Sequence, residues 1–187
     1  MDKVVIDIET SNTFADVGGH KNVADLSVSL VGIYSYSTDT FHAFDEHHLH
    51  EVTPFLKSCG LLIGFAINRF DVPVLNKHFP FNLFSLQRLD LLDEIELSTG
   101  RRISLNILAK ANLGVEKTHH GLEAIELYKS GNFQELKDYC LTDVKITRDL
   151  YELAKKQKYL IIPDKITNEP VRVPLSWEEQ SFPATLF

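Results

Sequence analysis

A short, uninterrupted apolar run at residues 61–66 most constrains how this chain folds. Neighbouring residues of a strand point to opposite sides of the sheet, so a strand that is apolar throughout is buried on both faces. Such a strand belongs in the interior of a sheet that helices cover. Residues 4–9 are β-branched and apolar until carboxylates end the run, which predicts a second buried strand.

The order of the remaining elements predicts one mixed α/β domain. Strands at residues 28–35 and 40–44, with a turn between them, form an antiparallel meander with the first strand. Residues 1–157 form the main body, and residues 158–187 form a hairpin and tail of the same domain. The elements predicted after the meander are helices at 46–58 and 71–78, a strand at 88–92, helices at 104–112, 122–129 and 133–156, and a terminal hairpin from Tyr159.

Composition and charge exclude several classes of protein. The 187 residues are 44% hydrophobic and 24% charged, which is typical of a globular domain and not of a disordered chain or coiled coil. Lys and Arg number 19 against 26 Asp and Glu, so the net charge of −7 excludes a broadly basic surface but not a local basic groove. Cys59 and Cys140 are too few for a disulfide framework. Without a secretory signal pattern or a bilayer-length apolar run, we expect a cytoplasmic protein that does not enter membranes.

Three acids are placed at the ends of the two buried strands. Asp7 and Glu9 are two apart and therefore share one face of the first strand. Neighbouring anions repel, so two acids on one face indicate a functional site. The alternative is that both are simply solvated at the end of the strand. Asp71 follows the interior strand, which delivers it near the edge of the sheet. Its alternative role is to cap the helix at 71–78, and a carboxylate with two oxygens is compatible with both roles.

Tyr139 and Asp143 are four apart on the long predicted helix and therefore share a face. That face borders the apolar stripe of the helix, so Asp143 points toward the sheet, where an acid needs a partner. A bound cation is one candidate, and a hydrogen bond from backbone or hydroxyl is the other. If the acids converge, two divalent cations would neutralise them. All-oxygen ligands suit Mg²⁺ or Mn²⁺, and two such ions support phosphoryl displacement.

The strings DIET, NRFD and YCLTD, in this order, resemble the three motifs of the DEDD exonucleases. The tyrosine four residues before the last aspartate resembles that of the DEDDy branch. The resemblance covers about residues 4–151 and extends to predicted 3′–5′ exonucleases related to the proofreading domain of family-B DNA polymerases. It implies an RNase H-like fold, a mixed sheet flanked by helices. It also implies release of nucleoside 5′-monophosphates from 3′ ends with two metal ions.

The same resemblance implies roles for individual residues. Asp7 would bridge both metals, and Glu9 and Asp143 would hold the metal that activates water. Asp71 would support the second metal, while the hydroxyl of Tyr139 would orient the attacking water. No covalent intermediate is implied.

Substrate contacts are predicted beside these acids. The resemblance places the backbone of Thr10 near the terminal nucleotide. Phe70 would stack on a base, with a place in the core as its alternative, and Asn68 precedes it in the second motif. Lys117 and His119 lie in a basic loop before a helix, which would either grip a phosphate or be an ordinary solvated loop.

The expected partner is nucleic acid, at a single-stranded 3′ end. One rival is an endonuclease or ribonuclease on the same scaffold, which product analysis would separate. Another is a nucleic-acid-binding or protein-binding module without catalysis, and the intact acids count against it. We treat Asp90 and Asp93 as structural. Trp177 and Phe182 in the tail either pack on the domain or face a protein partner.

Overall fold

A five-stranded mixed sheet forms the centre of the computed structural model, which describes residues 1–115 and 121–175. The strands are β1 (Asp2–Thr10), β2 (Val28–Ser35), β3 (Thr40–Asp45), β4 (Cys59–Gly64) and β5 (Arg88–Asp90). Their order across the sheet is β3-β2-β1-β4-β5. The first three pair antiparallel, and β4 and β5 continue the sheet parallel to β1. The predicted α/β fold with an antiparallel meander is confirmed.

Helices cover both faces of this sheet. In the described part of the chain they are α1 (Thr53–Ser58), α2 (Asp71–Leu75), α3 (Leu91–Thr99), α4 (Leu105–Leu113), α5 (Gly121–Lys129) and α6 (Phe133–Gln157). Short 3₁₀ turns lie at His20–Asp25, Leu49–Val52, Asn76–His78 and Leu83–Ser85. A separate two-stranded hairpin, β6 (Tyr159–Pro163) and β7 (Pro170–Pro174), follows α6.

The two interior strands bury both of their faces, as their apolar sequences predict. In β1, Val4 and Ile6 pack in the layer that contains α1 and α2, whereas Val5 packs in the layer that contains α3, α4 and α6. In β4, Leu62 joins the first layer and Ile63 joins the second. Alternation of side chains along a strand therefore divides the apolar residues between two cores.

Helix α6 lies close to the sheet because β2 has a glycine beneath it. A Cβ at Gly32 would lie 2.7 Å from Sγ of Cys140 and 2.9 Å from Cγ2 of Val144. Gly32 also lies opposite Asp7 in the ladder between β1 and β2. The close approach therefore brings the first half of α6 over the acidic end of β1.

The helix predicted at residues 46–58 begins later than its apolar spacing indicates. The carboxylate of Asp45 accepts a hydrogen bond from the backbone N–H of His47 at 2.9 Å, which closes a turn in competition with helix formation. A 3₁₀ turn follows, and α1 begins only at Thr53. Pro54 lies in its first turn, where a missing N–H costs little.

The strand predicted at residues 88–92 ends at Asp90, and α3, a helix that we did not predict, follows it. The Asp90 carboxylate accepts from the backbone N–H of Leu92 at 3.0 Å and of Asp93 at 3.4 Å, so it caps α3. Gly100 ends the helix in the left-handed region, with φ of 69°. These capping residues were the sequence signal for α3.

The interior strand predicted at residues 61–66 also ends earlier, at Gly64. Ala66 has φ of 65°, a left-handed conformation that turns the chain out of the sheet. The helix predicted at 71–78 is divided into α2 and the 3₁₀ turn Asn76–His78.

The hairpin predicted from Tyr159 is confirmed. Leu160, Ile162 and Val173 are buried in the same core cluster as Leu150 of α6. Trp177 and Phe182 lie outside the described residues. Nowhere in residues 1–115 and 121–175 does a helix have both the length and the apolar character needed to cross a bilayer.

Candidate active site

A cleft of about 510 Å³ lies where β1 and β4 end. Its lining brings together residues from three separated segments of the chain, including all five that the motifs single out: Asp7, Glu9, Asp71, Tyr139 and Asp143. Glu9, Asp71 and Asp143 are less than a tenth exposed. Three of the four acids of the cleft are therefore largely withdrawn from solvent.

Two of the acids project from the end of β1. A carboxylate oxygen of Asp7, one of Glu9 and Sγ of Cys140 all lie within 4.8 Å of one another. The register between β1 and β2 shifts between Glu9 and Thr10. Irregularities of this kind re-aim side chains beside functional sites, and here the irregularity adjoins the acidic pair.

Helix α6 contributes the tyrosine and the third acid from one face. Tyr139 and Asp143 are separated by about one turn and are both buried, at 8% and 6% exposure. Between them, the thiol of Cys140 donates to the backbone carbonyl and to Oδ2 of Asp7, both at 3.6 Å. This contact connects α6 directly to the acidic residue on β1.

Asp71 does not cap its helix, which corrects one of the two roles considered for it. The N-cap position is Phe70, and no side chain caps α2. Instead, Oδ1 of Asp71 accepts a hydrogen bond from the backbone N–H of Ile8 at 3.0 Å. The carboxylate is drawn away from its own helix because that N–H lies beyond the point where β4 stops pairing with β1.

Burial and mutual repulsion dominate the electrostatics of the cleft. Burial raises the pKa of Asp71 to about 8, and the charges of Asp90 and Asp143 act in the same direction. Burial, followed by the charges of Glu9 and Asp143, raises the pKa of Tyr139 far above its ordinary value. Bringing positive charge into such a cluster relieves both effects.

The donor atoms of the cleft fit hard divalent cations. Carboxylate oxygens are the ligands that Mg²⁺ and Mn²⁺ prefer, and the cleft presents them from three elements. Burial, together with the adjacent Asp7 and Glu9, raises the pKa of the Cys140 thiol well above its usual value. A neutral thiol is a poor ligand, so the oxygen atoms define the metal preference.

Two of the predicted substrate contacts, Thr10 and Phe70, line the cleft. Asn68 is not among the lining residues. Its side-chain oxygen accepts from Nε of Arg88 at 2.7 Å, and its amide donates to Asp93 at 2.8 Å. Lys117 and His119 lie outside the described residues.

Asp90 has a structural role, as expected, but its partners were not predicted: it organises the loop that carries the second motif. Its two oxygens accept from the backbone N–H of Ala66 at 2.8 Å and of Asn68 at 2.9 Å. The same carboxylate caps α3, so one buried acid fixes both the exit from β4 and the start of the next helix. Because the loop leads directly into Phe70 and Asp71, Asp90 positions one wall of the cleft.

Aromatic residues form the outer part of the cleft. Phe14 lines it and makes an edge contact with Phe70, with 5.9 Å between ring centroids. On its other side, Phe14 contacts the ring of His20 at 4.0 Å. Phe14 lies in a polar stretch between β1 and the 3₁₀ turn His20–Asp25, where no periodic apolar pattern indicates its position.

Comparison with known proteins agrees with the fold. Residues 4–155 match the family model of the RNase H superfamily. Among solved structures, the family B DNA polymerase from the hyperthermophilic archaeon Pyrobaculum calidifontis is similar, with a TM-score of 0.62 and 16% sequence identity. The similar region covers 83% of this chain but only 24% of the polymerase, and at this identity the likeness shows the fold alone. No curated protein matches the sequence significantly.

Proposed function

This chain belongs to the RNase H superfamily, and from that premise we propose that it is a metal-dependent 3′–5′ exonuclease releasing nucleoside 5′-monophosphates. One observation carries the proposal. Four carboxylates and a tyrosine from three distant segments line a single cleft, in the order and on the elements that the motifs require. Their oxygen atoms suit divalent cations, which the chemistry of phosphodiester hydrolysis uses.

The positions of the four acids suggest which metal ion each would bind. Two Mg²⁺ or Mn²⁺ ions would offset the acidic charge, lower the pKa of the attacking water and stabilise charge on the scissile phosphate. Asp7 lies beside Glu9 and contacts α6 through Cys140, so it would contribute to holding both ions. Glu9 and Asp143 would hold one ion, and Asp71, at the start of α2, would support the other.

Tyr139 orients the attacking water. Its raised pKa keeps the hydroxyl protonated across the neutral range, because burial and the charges of Glu9 and Asp143 disfavour a phenolate. A protonated hydroxyl beside those acids acts as a hydrogen-bonding group and not as a base. Its contribution is therefore alignment of the water with the phosphorus atom.

An unpaired 3′ end fits the shape of this cleft. Its volume of about 510 Å³ is within the range of pockets that hold one small ligand, which here corresponds to a terminal nucleotide. Phe14 and Phe70 are in place to stack on a base, and Thr10 adjoins the acids. Lys117 and His119 remain proposed phosphate contacts. We assign Asn68 to loop positioning through Arg88.

We further propose that residues 1–157 form the exonuclease domain and that residues 158–187 belong to it. The support is the packing of the β6–β7 hairpin: Leu160 and Val173 lie in one core cluster with Leu150 and Tyr151 of α6. A hairpin held by the core of the domain folds with that domain.

The test uses single strands labelled at either end and incubated with Mn²⁺. An exonuclease acting from the 3′ end releases the 3′ label at once as a mononucleotide, while the 5′-labelled strand shortens progressively. Internal fragments appearing first would favour the endonuclease instead. Binding without cleavage would favour the non-catalytic module.

A further inference from the structure

A second cavity, of about 680 Å³, lies apart from the acidic cleft. It is bordered by the loop after α3, by α4, by β6 and by the turn between β6 and β7. The charged residues in its lining are four cations and one acid: Arg101, Arg102, Lys110, Lys165 and Asp164. Isoleucine and proline side chains form most of the rest of its wall, together with Ser104, Ala111 and Asn168. We refer to it as the basic pocket.

The charge of the basic pocket is opposite to that of the chain, whose net charge is −7. Its one acid is engaged locally, since Asp164 accepts from the backbone N–H of Ile166 at 2.8 Å and of Thr167 at 2.9 Å. The guanidinium of Arg101 donates to the carbonyl of Pro163, which joins the loop after α3 to the hairpin. A guanidinium has five N–H donors, so this bond fixes the side chain without exhausting it.

Glu96 of α3 connects the basic pocket with the cleft. It accepts from Nη2 of Arg69 at 2.6 Å and pairs with Nε of Arg102 at 3.3 Å. Arg69 lies in the loop that leads to Asp71, and Arg102 lines the basic pocket. Glu96 therefore lies between the loop that carries the second motif and a cation of the basic pocket.

We propose that the basic pocket binds phosphate groups of the strand being hydrolysed, upstream of the nucleotide that occupies the acidic cleft. This inference rests on the proposed function, because the strand must begin in the acidic cleft. Arginine and lysine side chains from separate segments of the chain meet in this one cavity, and these are the groups that contact phosphate oxygens. The apolar wall suits the sugars and the faces of bases. An acidic domain thereby acquires affinity for a polyanion outside its catalytic centre.

Equilibrium binding of a long single-stranded oligonucleotide, without divalent metal, tests the proposal directly. Lys165→Glu reverses one charge in the basic pocket, and Lys57→Glu makes the same change at an exposed position on α1. We expect Lys165→Glu to weaken binding about fivefold more than Lys57→Glu near 0.1 M salt and to reduce the salt slope by about 0.7. Arg102→Gln gives a second, independent variant with the same expectation.

Hydrolysis of a dinucleotide separates this proposal from the proposed function. A dinucleotide occupies the cleft without reaching the basic pocket, so Lys165→Glu leaves its turnover unchanged while slowing turnover of long strands at low concentration. Equal effects of Lys165→Glu and Lys57→Glu on long strands would overturn the basic pocket as a phosphate site. If the unsubstituted protein cleaves neither substrate, the proposed function fails, and the binding comparison still decides whether the pocket contacts phosphates.

Discussion

Asp71 accepts a hydrogen bond at 3.0 Å from the backbone N–H of Ile8, the residue between Asp7 and Glu9. The parallel pairing of β1 with β4 extends only to Val5, so this side chain continues the contact where the sheet ends. The bond fixes the acid of the second motif against the acids of the first. It also explains why Asp71 is buried without capping α2.

Asp71 makes the stability of the metal-free protein depend on pH. Its pKa in the folded state is about 8, above the ordinary 3.8, so burial stabilises the protonated form. A raised carboxyl pKa contributes stability that is complete at low pH and is lost as pH rises toward 8. The free energy of unfolding in chelator should therefore fall over that range, and the Asp71→Asn variant should show a flatter profile.

Denaturant unfolding as a function of pH measures this effect. Asn keeps an oxygen that accepts from Ile8, so the variant retains the fold. Saturating Mn²⁺ should raise the stability of the unsubstituted protein most at the high end of the range. Parallel pH profiles for the two proteins would contradict the assignment of the slope to Asp71.

Removing the Tyr139 hydroxyl should slow catalysis without weakening metal binding. In the Tyr139→Phe variant the ring still fills its buried position, but the group that orients water is lost, so kcat should fall about ten- to a hundredfold. Tyr128→Phe is the matched control. It removes a hydroxyl that donates to Glu46 at 2.7 Å, and this pair is not part of the acidic cleft. Similar losses in both variants would show that the Tyr139 effect is not catalytic.

The approach of α6 to the sheet depends on Gly32. In a Gly32→Ala variant the new Cβ would lie 2.7 Å from Sγ of Cys140 and 2.9 Å from Val144, so helix and strand must separate. We expect a loss of about 2 kcal/mol in the free energy of unfolding. Activity should fall as well, because Asp143 moves away from Asp7.

A double variant makes that prediction specific. Cys140→Ala removes the nearer of the two clashing atoms, so Gly32→Ala with Cys140→Ala should recover part of the lost stability and activity. Cys140→Ala alone is the control for the thiol. Additive losses in the double variant would mean that the Gly32 effect does not arise from this contact.

Much of the fold follows from local patterns. The period of two along β1 placed its apolar residues in two cores and aligned Asp7 with Glu9. The spacing of three and four residues along α6 placed Tyr139 and Asp143 on one face. These elements are long or strongly patterned, so intrinsic geometry decides their side-chain directions.

What could not be predicted depends on contacts between distant segments. Asp71 accepts a hydrogen bond from the backbone N–H of Ile8 on β1 and does not cap α2. The residues next to Asp71 in the sequence do not reveal this partner. Asp90 holds a loop more than twenty positions earlier, with Ala66 in a left-handed conformation. Gly32 gave no sign that a helix would pack on it. In each case a tertiary partner decides the role of the residue.

Hydrolysis of a 3′-labelled single strand in Mn²⁺ by the Asp7→Asn variant is the most direct measurement of the acidic cleft. Asn preserves the shape of the side chain and an acceptor for the Cys140 thiol, so the fold should be retained. Loss of the shared ligand should reduce the rate at least about a hundredfold, equivalent to about 3 kcal/mol. A folded Asp7→Asn protein that releases the label at the unsubstituted rate would contradict the assignment of catalysis to this cleft.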